Sequence, residues 1–187
     1  MKSIFLLLLS LTVVYGLAAA PAYCNTSGII KLQTSGEPCP DNPFGQIIAE
    51  TSPGSGVNDF FQTIFDDFSL EGNQEDSAVR TGCRLRLTIM PTKGKKTLHL
   101  ELEGFIEIPE DQRVVIKIKS RQGHYRSKQV FRYNESTFDD INLSSAIKLH
   151  RCSQKPLIIT ISVKIKGRKG LPADGLVFID QIRGLLQ

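Results

Sequence analysis

Cys83-Arg84-Leu85-Arg86-Leu87-Thr88-Ile89 alternates apolar and polar residues at every step. A period of two marks a strand with one dry and one wet face. The same period returns at Leu98, Leu100 and Leu102, with His99 and Glu101 between them, and continues past Gly104 to Ile106 and Ile108. Val114, Ile116 and Ile118 alternate with Val115, Lys117 and Lys119; Ile159, Ile161, Val163 and Ile165 alternate with Thr160, Ser162, Lys164 and Lys166. Leu176-Val177-Phe178-Ile179 opens a last strand that ends near Ile182. Pro91-Thr92-Lys93-Gly94, Pro109-Glu110-Asp111 and Gly123 separate these runs with turn-forming residues. Short alternating strands joined by turns predict antiparallel sheets packed face to face, an all-β sandwich over residues 57–187. Phe131–Leu149 fits two readings: Ser136 and Asp139 suit a helix cap, whereas Phe138, Ile141 and Leu143 suit a strand.

Upstream the pattern changes. Val57, Phe60, Phe61, Ile64, Phe65 and Phe68 recur at helical spacing, and Asn58 or Asp59 suits the cap, so a short helix packed on the core is expected there. Its polar side carries Asp59, Asp66 and Asp67, which is the wrong sign for a helix lying on an anionic membrane. Residues 23–56 read as an irregular leader rich in Pro and Gly, closed by Ser52-Pro53-Gly54-Ser55-Gly56. Residues 1–22 have the form of a secretory signal peptide: Lys2, an apolar run from Ile4 to Val14, then small residues through Ala22. That run is short for a bilayer span and no later run is longer, so no membrane span is expected.

An exported chain uses its cysteines in disulfides. Cys24, Cys39, Cys83 and Cys152 allow three connectivities, and the favoured pairing is Cys24–Cys39 with Cys83–Cys152. No pair has C-x-x-C spacing, so no zinc site is expected. Asn25-Thr26-Ser27, Asn134-Glu135-Ser136 and Asn142-Leu143-Ser144 are acceptor patterns for N-glycosylation, which places the 134–142 region at the surface.

The formal charge is +4, but it is unevenly spread. Residues 32–79 hold nine acids and no Lys or Arg; residues 80–187 hold twenty-one Lys or Arg against ten acids. Gln112–Arg132 is the densest basic segment, with Arg113, Lys117, Lys119, Arg121, Arg126, Lys128 and Arg132 and no acid inside it. Gly123 would turn the chain so that Arg126 and Lys128 return beside Lys117 and Lys119 as a ridge, which Lys164, Lys166, Arg168 and Lys169 could extend. Such a ridge either binds polyanions or simply solvates the sheet and blunts edge pairing.

Enzymatic chemistry finds little support. The chain contains no G-x-S-x-G, H-E-x-x-H or P-loop pattern, and His99, His124 and His150 have no ligand or triad spacing. No catalytic residue, metal or cofactor is expected.

Three further pieces carry a family resemblance. Asp67-Phe68-Ser69-Leu70-Glu71-Gly72, Gly82-Cys83-Arg84-Leu85-Arg86-Leu87 and Gly175-Leu176-Val177-Phe178-Ile179-Asp180-Gln181-Ile182 resemble the first, next and closing strands of galactose-binding-like or MAM-type jelly rolls. The resemblance covers residues 66–187 and implies a jelly-roll sandwich in which first and last strands are neighbours. It also matches Asp67, Glu71 and Asp180 to oxygen donors for a structural Ca²⁺, although six or more donors are needed and the set here is incomplete. The chain departs from the families in having no Trp, in its cysteine pattern and in carrying Gln181 where a second Asp is common.

These readings converge on a secreted, extracellular glycoprotein that acts by binding. The expected partner is an extracellular glycan, sulfated or otherwise, or a protein, and not nucleic acid. The alternatives are a structural matrix, coat or secretion component, a carrier of an apolar ligand with Phe60–Phe68 as its lid, and a hydrolase with an unrecognised site.

Overall fold

The computed structural model describes residues 28–36, 60–65, 68–73, 75–90, 97–134, 136–150 and 155–187. Ten strands follow one another: β1 (Gly28–Ser35), β2 (Phe60–Ile64), β3 (Ser69–Glu71), β4 (Ala78–Met90), β5 (Thr97–Ile108), β6 (Gln112–Gln122), β7 (Tyr125–Tyr133), β8 (Thr137–Lys148), β9 (Leu157–Gly167) and β10 (Leu176–Leu186). A 3₁₀ turn, Arg168–Gly170, is the one helical element among the described residues. The strands form two antiparallel sheets, β1-β4-β9-β6-β7 and β2-β10-β5-β8, with β3 also on β10. From β3 to β10 each connection crosses between the sheets except the β6–β7 hairpin. That is an eight-stranded jelly roll, extended by β1 and β2. The first strand of the resembling segment, β3, does pair with the last, Leu176 opposite Glu71.

Alternation builds the core as the sequence predicts. Leu85, Leu87 and Ile89 of β4, Val114, Ile116 and Ile118 of β6, and Leu157, Ile159, Ile161, Val163 and Ile165 of β9 point inward from the first sheet. They meet Leu98, Leu100, Leu102, Ile106 and Ile108 of β5, Ile141, Leu143 and Ile147 of β8, and Val177, Ile179, Ile182 and Leu186 of β10. Each such buried side chain contributes roughly 1.5–3 kcal/mol relative to exposure.

Two buried glutamines fix the ends of β6, and with it the site described below. Gln112 accepts a bond from the Asp174 amide (3.1 Å) and donates to the Pro172 carbonyl (3.1 Å), pinning the loop before β10. Gln122 accepts from the His150 amide (2.9 Å) and donates to the Lys155 carbonyl (3.3 Å), pinning both sides of the β8–β9 connection.

The structure corrects the sequence reading at the N-terminal side. The helix expected around Val57–Phe68 is absent from its described part: Phe60–Ile64 is strand β2, paired with β10. Phe61, Thr63 and Phe65 point inward and Gln62 and Ile64 outward, which is a strand's alternation with a polar Thr at one inner position. Phe61 lies opposite Gly184, and any side chain on Gly184 would overlap its ring. Phe61, Phe65 and Phe68 are therefore core, with Phe65 and Phe68 in an edge-to-face pair at 5.3 Å, and not a lid over a ligand. Within the leader, Gly28–Ser35 is not irregular: it is β1, the edge strand paired with β4. Of the ambiguous segment, Phe131–Tyr133 lies in β7 and Thr137–Lys148 in β8, so its strand reading holds.

Other expectations fall partly outside the described residues: the signal peptide, the remainder of the leader, Asn25, Asp67, and the cysteines Cys24, Cys39 and Cys152. Cys83 is fully buried and disulfide-bonded, and its backbone pairs with Ile161 of β9.

Candidate functional site

Strands β1, β4, β6, β7 and β9 contain no Asp or Glu at all. Because side chains alternate across a sheet, inward apolar residues leave the intervening cations on the outer face. From β6 come Arg113, Lys117, Lys119 and Arg121, and from β7 Arg126, Lys128 and Arg132. These are the seven residues of the predicted ridge, and all lie on one face. The hairpin between them turns at Gly123, whose φ of 61° suits a two-residue loop, and sets Lys119 opposite Lys128 and Arg121 opposite Arg126.

The face is wider than the ridge. β9 separates β6 from β4 and adds Lys164 and Lys166; β4 adds Arg80, Arg84 and Arg86. The register aligns these residues in rows across the sheet: Arg80, Lys164, Val115 and Arg132; then Arg84, Thr160, Lys119 and Lys128; then Arg86, Ile158, Arg121 and Arg126. Arg84 and Arg86 were visible as outward residues in Cys83–Ile89, but which strand they would join was not. Arg168 is exposed in the 3₁₀ turn beyond β9.

Crowding of like charge has a local consequence. Lys117 has its ammonium pushed below the ordinary lysine value, first by loss of hydration and then by Lys128, Lys119, Arg80 and Lys164. An anion laid on this face would relieve that repulsion.

Relief along β9 gives the face a shape. Ile158, Thr160 and Ser162 are short outward side chains between the long ones of β4 and β6. A depression of about 540 Å³ lies among Arg84, Lys119, Arg121, Arg126 and Lys128 over Ile158 and Thr160. A second, about 590 Å³, lies over Thr160, Ser162 and Gly82 and reaches Arg80 and Ser35. They share Arg84 and Thr160 and so run on from one another.

The opposite sheet has the opposite sign. Its strands carry Glu71, Glu101, Glu103, Glu107, Asp139, Asp140 and Asp180 against Lys148 and Arg183. Glu103 is held by an ion pair to Arg183 (3.2 Å) and a hydrogen bond from Gln181, which in turn accepts from Gln62 (2.6 Å). The Asp180 carboxyl is pushed above the usual carboxylate range by burial and by Asp140 and Glu103. Phe138 is exposed on this side and packs edge-to-face on Phe105 at 5.0 Å.

The remaining candidates scatter. Asn142 is exposed on the outer face of β8, while Asn134 is half-buried with its Oδ1 lacking a hydrogen-bond partner among the described residues. His99 is exposed on β5, His124 lies in the hairpin turn, and His150 contacts the Tyr125 ring at 4.8 Å. Among the described residues no three His, Cys, Asp or Glu side chains come together as a metal site. No described helix is long and apolar enough to cross a membrane.

No protein-family model matches this chain, and neither does any curated protein. Among solved structures it is similar to TmCBM61 in complex with beta-1,4-galactotriose (14% identity, 86% of this chain and 91% of that one, TM-score 0.37). It is also similar to CBM27-1 of Caldicellulosiruptor saccharolyticus in complex with mannohexaose (12%, 85% and 84%, 0.30) and to murine APRIL (10%, 82% and 94%, 0.27). TM-scores this low define neither a family nor a ligand. What defines this chain is its own strand order and register: it is a jelly-roll sandwich with one cationic and one anionic face.

Proposed function

We propose that this chain is a secreted extracellular binding module that recognises a polyanion, a sulfated glycan, through the outer face of β1-β4-β9-β6-β7. One observation carries the reading: four adjacent strands, β4, β9, β6 and β7, contribute Lys and Arg to that face, and none of the sheet's five strands carries a carboxylate. A merely solubilising surface mixes both signs; a single-sign face focuses potential and attracts counter-charge. The Arg residues supply planar forks that match sulfate oxygens, and the Lys residues supply point charges. No bond is made or broken, so the module acts by binding and not as an enzyme.

The rest of the chain is consistent with this role. The signal-like N-terminus and the glycosylation pattern at Asn142 suit export. A glycan at Asn142 would stand on the anionic sheet and leave the cationic face open. Outside the cell, sulfated chains and not nucleic acid are the abundant polyanions.

The test is elution of the folded, glycosylated protein from immobilised heparin, beside a variant with Lys117, Lys119, Arg126 and Lys128 changed to Gln. Wild type should elute well above physiological salt and the variant well below it. Flow-through of wild type at physiological salt would overturn the reading. It would then favour protein binding at the exposed Phe138–Phe105 pair.

A further inference from the structure

We infer that the cationic face holds one extended anionic chain, lying in the trough along β9, with its charged groups directed alternately to two banks. This rests on the polyanion reading above and specifies its geometry.

The residues dictate the path. On one bank stand Arg84 and Arg86 of β4; on the other stand Lys119 and Arg121 of β6, backed by the β7 cations. Two strand spacings, about 10 Å of backbone, separate the banks. Between them Ile158 offers a half-buried apolar patch and Thr160 a half-buried hydroxyl, with the buried Ser162 beyond and no charge. The trough from Ile158 to Ser162 is about 13 Å long at a strand's rise per residue. At Gly82, beside Ser162, no side chain narrows it. A chain lying across the strands would meet long cationic side chains at β4 and β6 and bridge the depression. A chain lying along β6 and β7 would leave Arg84 and Arg86 unused and the depression empty. Only a chain lying along β9 fills the depression and reaches both banks along its length.

The floor decides the class of ligand. Hydroxyls and an isoleucine side chain suit a ring-built backbone with its own hydroxyls and apolar faces, whereas a bare string of phosphates has nothing to place there. The ligand is therefore a linear sulfated glycan with anionic groups on both edges.

The experiment measures binding of a heparin octasaccharide to the full folded protein at physiological salt. Thr160→Tyr fills the trough while keeping every charge. Ala146→Tyr puts the same bulk on the opposite sheet, and Arg84→Gln and Lys128→Gln remove one cation on each side of the trough. Thr160→Tyr should weaken binding at least tenfold and Ala146→Tyr not at all. Arg84→Gln and Lys128→Gln should weaken it by similar factors, about threefold to tenfold each. A wild type that binds, with Thr160→Tyr and Arg84→Gln both unchanged, would overturn the trough while leaving the polyanion reading intact. A wild type that does not bind would overturn both. Should Thr160→Tyr lose the wild-type thermal unfolding transition, the comparison of Arg84→Gln with Lys128→Gln decides alone. Polyphosphate of equal charge binding as tightly as the octasaccharide would overturn the role of the floor.

Discussion

Arg84 and Lys119 stand on either side of Thr160, each paired with it, so that two cations flank one neutral hydroxyl in a single row of the first sheet. Across about 10 Å in water their repulsion is about 0.4 kcal/mol, and each belongs to a field of similar charges. The fold tolerates this face and is not stabilised by it. Wild-type stability should accordingly rise between 0.02 and 0.5 M NaCl, as screening shortens the range of the repulsion below the spacing of the rows. Arg84→Gln should raise the urea midpoint at low salt, and that gain should shrink at high salt. A midpoint that falls on removing Arg84 would mean that the side chain is held by contacts that offset the repulsion.

Lys117 lies at the centre of the crowding, with Lys128, Lys119, Arg80 and Lys164 acting on it in addition to its lost hydration. Its folded value lies below the ordinary 10.5, so in the interval between them the unfolded chain binds more protons than the folded one. Stability then rises with pH through that interval, and the penalty is present in full below it. Lys117→Gln should stabilise the protein at pH 7 in urea titrations. The advantage over wild type should fade as pH climbs towards 10.5. Equal midpoints at pH 7 would show that the ammonium escapes the field into solvent.

Much of this was legible from residues alone and some was not, for reasons of pairing distance. The ridge on β6 and β7 could be read because a hairpin brings neighbours in sequence together: Gly123 turns the chain and Arg121 meets Arg126. The same alternation exposed Arg84 and Arg86 as outward-facing. Their joining the ridge depends on β9, about seventy residues away, slotting between β4 and β6, and no local pattern encodes that. The Phe60–Phe68 segment misled because Phe61 and Phe65, four residues apart, satisfy helical spacing and a strand's inward alternation at once, while the buried residue between them is Thr63 and Phe68 lies beyond the strand. The last strand looked short because Asp180 is an extra residue in a bulge, which puts both Ile179 and Ile182 inward and breaks the period of two.

On the anionic sheet the sign of the pH dependence reverses. Asp180 is raised above its ordinary 3.8, by burial first and then by Asp140 and Glu103. Between the ordinary and the raised value the folded protein holds more protons than the unfolded one. Asp180 therefore destabilises at neutral pH, and its penalty is released as pH falls through the raised value. Asp180→Asn should be more stable than wild type at pH 7, with the difference closing by about pH 3.8. Chemical denaturation at matched pH values reads this. A variant less stable than wild type at pH 7 would show that the carboxylate is anchored at the bulge.

Phe61 and Gly184 are a matched pair, the ring occupying the space that any side chain at 184 would need. Gly184→Val should expel the ring from the core at a cost approaching the range for deleting a buried Phe, about 3–5 kcal/mol. Because both changes remove the same packing, Gly184→Val with Phe61→Ala should cost well below the sum of the two singles. A double-mutant cycle in urea measures this. Additive costs would mean that the two positions relax independently, contrary to their direct pairing.

The two faces together set how many chains one molecule can bind. Glu71, Glu101, Glu103, Glu107, Asp140 and Asp180 all lie on strands of the second sheet, so a polyanion held on the first sheet finds no second foothold behind it. The wild type should bind heparin octasaccharide at one per protein and form no cross-linked species at any mixing ratio, as read by light scattering and sedimentation. Changing Glu101, Glu107 and Asp140 to Lys leaves the Arg183–Glu103 pair in place and reverses the sign of that face. The triple variant should take up a second octasaccharide and form cross-linked species near equal concentrations, since each protein then presents two cationic surfaces to ligands that are themselves charged on both edges. Cross-linking by the wild type would show that the acids behind do not repel the ligand. A triple variant that stays at one octasaccharide would show that a cationic face without the trough along β9 is insufficient. In that case the shape of the first sheet, and not its charge alone, makes the site.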